Sequence, residues 1–182
     1  MAVEKQNKNG RLKLKQDLAK SSFETLYILY GEEAYLREYY LRQLRKKVVD
    51  ETFADFNLIE LDGKTLTLES LTEAVDSYPA MSERKLVIVT DFNIYAPPAS
   101  FGDQLIDLLS DLPDYVCLVF YFDILEAKPD KRTKMYKLLE KKACTAEFAR
   151  LEEKELIERL ERRARELNCI ISDEDAAYMI FL

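Results

Sequence analysis

Runs of apolar, β-forming residues recur along this chain, and amphipathic segments with helical periodicity separate them. The first run, residues 25–30, is continuously apolar and does not alternate with polar residues. A strand of that kind is covered on both faces, as in parallel sheets flanked by helices. The remaining predicted strands are residues 56–61, 86–89, 115–122 and a short fifth at 146–148. This pattern is the strongest constraint on the fold.

Strands that alternate with helices are typical of the α/β class with right-handed crossovers. The predicted intervening helices cover residues 32–49, 68–77, 101–112 and 131–142. We therefore expect a five-stranded parallel sheet flanked by helices.

The chain divides into three predicted segments. Residues 1–22 form a polar arm and a short amphipathic helix, and residues 23–151 form the α/β domain. Residues 152–182 contain helical patterns without strands, which predicts the start of a second, helical domain. The final residues 179–182 are apolar and carry no helix stop signal, so we expect the chain to be part of a longer protein.

Composition excludes several kinds of site. The chain has 182 residues and no histidine, which removes Ser-His-Asp and Cys-His catalysis and the commonest metal ligand. Its cysteines, Cys117, Cys144 and Cys169, are too irregularly spaced for a zinc motif or a disulfide framework, and we expect free thiols. No apolar run approaches the roughly 20 residues of a membrane span. We therefore predict a cytoplasmic protein with no catalytic residue, cofactor or metal.

The first strand ends at Gly31, where a nucleotide-binding protein would carry its phosphate loop. That loop requires a second glycine, a lysine and a hydroxyl residue, and Leu36, Arg37 and Glu38 stand in those places. Arg37 is interpreted as a solvated side chain, and Asp91 as a turn residue that ends the third strand. An active NTPase or kinase is the less favoured alternative.

Three stretches resemble a known family, and they occur in its order along the chain. They are residues 26–36, residues 78–89 and residues 130–141, followed by the helix that begins at Glu152. Together they resemble the delta subunits of the bacterial DNA polymerase III clamp loader. The resemblance implies an AAA+ module with strand order 5-1-4-3-2, no ATPase activity, and the start of a small helical lid after residue 151.

The resemblance also implies a function and a site. Delta subunits bind the ring-shaped beta sliding clamp and open one ring interface, so that the clamp can be loaded on DNA for processive replication. They assemble with the gamma/tau and delta-prime subunits and meet DNA indirectly, through that complex. The implied clamp-binding residues here are Tyr78, Pro79, Ala80 and Met81.

Two alternatives to this assignment remain open. The apolar cluster at residues 78–81 could be core, although Pro79 and the polar residues 82–85 favour exposure. The chain could also be another non-catalytic AAA+ scaffold such as delta-prime. Delta-prime subunits carry a zinc-binding cysteine module, which the three scattered cysteines do not supply.

A run of basic residues near the fourth predicted helix is a second candidate surface. The net charge of −7 argues against a free-standing nucleic-acid binder, so any such surface would have to be local. The run is either a solvated helix face or a surface that guides an acidic partner or DNA phosphates. Its candidate residues are Lys131, Arg132, Lys134, Lys137 and Lys141.

Overall fold

The computed structural model of the chain describes residues 2–151 and 153–181, with side chains described over residues 10–151 and 154–180. Met1, Glu152 and Leu182, which belong to the outer predicted segments, lie outside the described residues. Two compact units are formed, one up to residue 148 and one from residue 149 onward. The elements are α1 (Ala2–Lys20), β1 (Leu26–Tyr30), α2 (Ala34–Val48), α3 (Ala54–Asn57), β2 (Leu58–Asp62), α4 (Leu68–Asp76), β3 (Lys85–Thr90), α5 (Gln104–Ser110), β4 (Val116–Tyr121), α6 (Lys134–Lys142), β5 (Cys144–Glu147), α7 (Glu153–Glu166) and α8 (Asp173–Phe181).

The five strands form one parallel sheet in the order β2-β3-β4-β1-β5. Every residue of β1 and β4 is buried, as is β3 up to Val89. Helices cover both faces, so the continuously apolar strands never meet water, and each large buried side chain contributes about 1.5–3 kcal/mol. The predicted α/β class and strand order are confirmed.

The second strand begins later than the sequence predicts. Residues 51–53 form a 3₁₀ turn that the Asp50 carboxylate caps by accepting a hydrogen bond from the Thr52 amide at 2.8 Å. The turn runs into α3, so Phe56 lies on a helix and is exposed rather than opening a strand. β2 therefore starts at Leu58, directly after the last residue of α3.

The first helix is longer than the short helix predicted near residues 12–21, since it covers Ala2–Lys20. Its Leu14 is fully buried, and the Asp17 carboxylate accepts a hydrogen bond from the Tyr27 hydroxyl at 2.9 Å. At Gly10 the helix approaches the backbone of β5 so closely that a Cβ atom would lie 3.3 Å from the Ala146 nitrogen and overlap the Thr145 carbonyl group. The helix thereby covers and protects β5, the strand at one edge of the sheet. The polar composition of the first residues did not indicate this role.

The second unit consists of α7 and α8, which pack against each other. The Ser172 hydroxyl caps α8 by accepting a hydrogen bond from the Asp175 amide at 3.1 Å. Among the helices that the structure describes, none combines the length and apolar character needed to cross a membrane.

Candidate functional site

The segment from Ser77 to Met81, here called the tip, joins α4 to β3 at the edge of the sheet where the parallel strands begin. The helix stops at Asp76 because Ser77 adopts an extended conformation, with φ −60° and ψ 135°. Pro79 follows two residues later, and a proline disfavours helical geometry in the residue before it. The chain consequently leaves the helix and projects its next side chains away from the core.

Two side chains of the tip are almost completely exposed. Tyr78 is 82% exposed and Met81 is 85% exposed, whereas Pro79 and Ala80 are half-buried. The Tyr78 ring lies 5.0 Å from the ring of Tyr115, centroid to centroid, which fixes one face of it. The interpretation of this cluster as core is therefore wrong for Tyr78 and Met81.

A buried amide side chain holds the far end of the tip. Asn57, the last residue of α3, is 0% exposed. Its Nδ2 donates a hydrogen bond to the Ala80 carbonyl oxygen at 2.8 Å, and its Oδ1 accepts one from the Ala80 amide at 2.7 Å. Both polar groups of the Ala80 backbone are thus satisfied by one side chain.

A buried lysine holds the near end of the tip. Lys85, the first residue of β3, is 1% exposed, although the sequence placed it in a polar, solvent-facing run. Its Nζ donates to the Ser77 carbonyl oxygen and, at 2.8 Å, to the Ser77 hydroxyl. Burial lowers the pKa of Lys85 to about 8, and the nearby Asp76 opposes that shift. The ammonium is therefore still mostly protonated at neutral pH and can donate to the end of α4.

Sequence reasoning missed both anchors. Asn57 lies 23 positions from its partner Ala80 and was assigned to the interior of a strand. For Lys85, the available signal was a charged residue placed next to a continuously apolar strand, a position in which a lysine must bury its stem.

At the end of the sheet where the parallel strands finish, the loop after β1 is hydrogen-bonded to the backbone that follows β5. The Glu33 amide donates a hydrogen bond at 2.9 Å to the carbonyl oxygen of Phe148, just after β5. Leu36, at the place of the second phosphate-loop glycine, is buried. An amide group that could face a phosphate is therefore already engaged within the fold.

Arg37 is not the solvated side chain that the sequence predicts, since it is 5% exposed. Its guanidinium donates hydrogen bonds to the Gly31 carbonyl oxygen and, at 2.9 Å, to the Asp123 carbonyl oxygen. It also lies 3.6 Å from the Asp123 carboxylate and 5.6 Å from the centre of the Tyr121 ring. Arg37 thus links the ends of β1 and β4.

Asp91 ends β3 as predicted, and its carboxylate has a structural partner. Its backbone has a φ of +56°, and its Oδ1 accepts three amide hydrogen bonds, from Asp123 at 2.8 Å and from Ile124 and Leu125 at 3.0 Å. Successive backbone amides of this kind form a nest for an anion. Here the anion is the protein's own carboxylate.

The basic run is divided between a loop and a helix. Helix α6 begins at Lys134 rather than at Lys131, because the Thr133 hydroxyl caps it by accepting a hydrogen bond from the Tyr136 amide. Lys134, Lys137 and Lys141 are exposed along one side of α6, opposite the buried Met135 and Leu139.

The two loop residues of the basic run have different surroundings. Arg132 is paired in bidentate fashion with Asp130, at 2.9 and 3.0 Å, and this hydrogen bonding lowers the pKa of Asp130 to about 2. Lys131 and Lys141 border a cavity of about 280 Å³ whose wall includes Tyr95 and Tyr136. Arg132 therefore contributes less positive potential than the lysines do.

The cysteines show no feature of a reactive or metal site. Cys117 and Cys144 are buried, which raises the pKa of each thiol to about 12, whereas Cys169 is exposed. Within residues 2–151 and 153–181, no three acidic or cysteine side chains are grouped as metal ligands.

Comparisons with known proteins agree on one family. The sequence profile of the DNA polymerase III delta subunit matches residues 27–149. The DNA polymerase III subunit delta of Bacillus subtilis is 28% identical over 172 residues, which cover 92% of this chain and 49% of that protein. The solved structure of the Bacillus subtilis DNA clamp loader delta protein superposes with a TM-score of 0.75 at 26% identity, covering 94% of this chain and 52% of that one. The chain thus spans about half the length of these relatives.

Proposed function

This chain belongs to the DNA polymerase III delta subunit family, and on that premise we propose that it binds a sliding clamp through the tip and stabilises one opened ring interface. The observation that carries the proposal is the exposure of Tyr78 and Met81 on a backbone that Asn57 and Lys85 hold. Tyrosine and methionine are effective interface anchors, because one is large and rigid and the other adapts to irregular pockets.

Ring opening is a shift in a conformational equilibrium, so the tip must bind the open interface better than the closed one. Moving such an equilibrium from 1:99 to 99:1 requires about 5.5 kcal/mol of differential binding. Interface anchors such as those proposed at Tyr78 and Met81 typically contribute about 2 kcal/mol each, and only the part of this free energy that the open interface gains over the closed one drives opening. The tip is therefore proposed to drive opening to the extent that its contacts form only with the opened interface.

The direct test is to mix this chain with its cognate sliding clamp and analyse the mixture by size-exclusion chromatography. We expect the two proteins to elute together as one complex. Separate elution at micromolar concentrations of both proteins would reject the proposed function.

We propose that the chain does this work without nucleotide chemistry. The Glu33 amide, the Arg37 guanidinium and the Asp91 carboxylate are each engaged by other parts of the fold. Energy for ring opening would then come from binding alone, since these three groups already have partners within the fold.

Titration of the chain with magnesium-ATP in a calorimeter is expected to give no heat of binding. The physical reason is that a phosphate would have to displace internal hydrogen bonds while meeting the carboxylates of Glu32 and Glu33, which directly precede α2. Stoichiometric binding at micromolar nucleotide would contradict the non-catalytic role.

Partners beyond the clamp are also proposals. The lysines Lys134, Lys137 and Lys141 give α6 a local positive surface on an acidic chain, which suits guidance of an acidic partner or of DNA phosphates. We propose that the gamma/tau and delta-prime subunits join the chain in the loader complex, that DNA is met through that complex, and that this takes place in the cytoplasm.

A further inference from the structure

We propose that Asn57 is a positioning residue for the tip, which fixes the Ala80 backbone and thereby presents Tyr78 and Met81 to the clamp. This inference rests on the proposed clamp contact, although its structural part can be measured on the free chain. Asn57 itself is buried and would not touch the clamp.

The geometry of the Asn57 amide explains how one side chain can orient the tip. The amide of Ala80, which donates to Asn57 Oδ1, belongs to the peptide group between Pro79 and Ala80. The carbonyl of Ala80, which accepts from Asn57 Nδ2, belongs to the peptide group between Ala80 and Met81. Both peptide planes beside Ala80 are therefore fixed by one planar group. Opening either hydrogen bond would leave a buried polar group without a partner, which costs free energy. The arrangement with both hydrogen bonds formed is therefore strongly favoured.

The conformation of Met81 shows what this restraint achieves. Met81 has a φ of +51°, in the left-handed region that side chains with a Cβ atom disfavour. Such a conformation persists where the surrounding structure holds it. The Asn57 hydrogen bond to the preceding carbonyl fixes the peptide plane from which the Met81 N–Cα bond starts, and the Met81 side chain is exposed beyond it.

A fixed tip binds more tightly than a mobile one, because the ordering cost has been met before the partner arrives. A purely structural role is the alternative, because Asn57 lies at the junction of α3 and β2. The two roles differ in one respect: a positioning residue loses its effect on binding when the side chains it positions are removed.

The structural part is tested on the free chain by amide hydrogen exchange. Replacement of Asn57 by Ala removes both hydrogen bonds, whereas Asn57→Asp keeps the acceptor and the volume but sets a carboxylate oxygen against the Ala80 carbonyl oxygen. In Asn57→Ala we expect the Ala80 amide to exchange at least tenfold faster, while the amides of Val87 and Ile88 in β3 keep their protection. If both variants lose that strand protection, Asn57 serves the whole fold and the proposal is wrong.

The functional part is tested by a double-mutant cycle with the sliding clamp. Asn57→Ala is expected to weaken clamp affinity about fivefold to tenfold in the native background, and less than twofold in a Tyr78→Ala, Met81→Ala background. Asp55→Ala, an exposed substitution in the same helix, is the matched control and should leave the affinity unchanged.

The possible outcomes separate the two proposals. An equal loss in both backgrounds would show that Asn57 acts elsewhere and would overturn this inference, while the proposed function would stand. If the Tyr78→Ala, Met81→Ala variant itself binds as tightly as the native chain, the proposed tip contact is wrong, and the positioning role of Asn57 for clamp binding is wrong with it.

Discussion

Replacing Tyr78 and Met81 together by alanine is expected to weaken binding of the sliding clamp at least tenfold. Each anchor of this type typically contributes about 2 kcal/mol, and the loss of one alone corresponds to a factor of about 30, so tenfold is a lower bound for the loss of both. Both side chains are more than four-fifths exposed in the free chain, so truncating them leaves no cavity and should leave the melting temperature unchanged. Affinity is measured by titrating the chain into immobilised clamp, and stability is measured by thermal unfolding.

Ile124→Ala is the matched control for this substitution. Ile124 is also an exposed apolar residue, but it follows β4 at the edge where the strands end, away from the tip. We expect its removal to leave clamp affinity within a factor of two. Native affinity in the tip variant would rule out the tip as the contact, and an equal loss in Ile124→Ala would indicate general hydrophobic attraction.

The parallel strands followed from the sequence because continuous apolar runs have few other arrangements, whereas their order was implied by the resemblance to the delta subunits. Residues 25–30 and 115–122 are too apolar for a half-exposed sheet, and the helices between the strands require parallel pairing. The region around α3 was predicted less well. A helix that passes directly into a strand at Leu58 carries no turn signal, so Phe56 was assigned to the wrong element.

The site was predictable where local chemistry determines it. Pro79 disfavours helical geometry at Tyr78, which agrees with the end of α4 at Asp76 and favoured exposure of the tip. The anchors were not predictable, because Asn57 and Ala80 are brought together by the sheet and not by their spacing in sequence. Arg37 failed for the same reason, since its partner Asp123 lies 86 residues away.

Gly31→Ala is expected to be the most destabilising single substitution at the edge of the sheet where the strands end. Gly31 has a φ of +128°, and a Cβ atom there would lie 2.5 Å from the Phe148 carbonyl carbon and 2.7 Å from the Phe148 nitrogen. Neither backbone atom can move without breaking the hydrogen bond from the Phe148 amide to the Tyr30 carbonyl, at 2.7 Å. We expect a loss of about 3 kcal/mol or more, which lowers the melting temperature by about 10 °C.

Gly102→Ala separates the steric part of that loss from the conformational part. Gly102 also has a positive φ, +50°, but the nearest atom to an added Cβ would be the Ala99 carbonyl oxygen at 3.9 Å. It should therefore lose only the conformational strain of a backbone with φ 50° and ψ −152°, about 1–3 kcal/mol. Thermal unfolding of both variants, with and without magnesium-ATP, then distinguishes two reasons for a glycine after the first strand. If Gly31→Ala lowers the melting temperature strongly and nucleotide does not change that effect, the glycine is needed because the Phe148 backbone, just after β5, packs directly against it. If instead Gly31→Ala melts at the same temperature as the native chain, and magnesium-ATP raises the melting temperature, the loop after β1 still holds a phosphate.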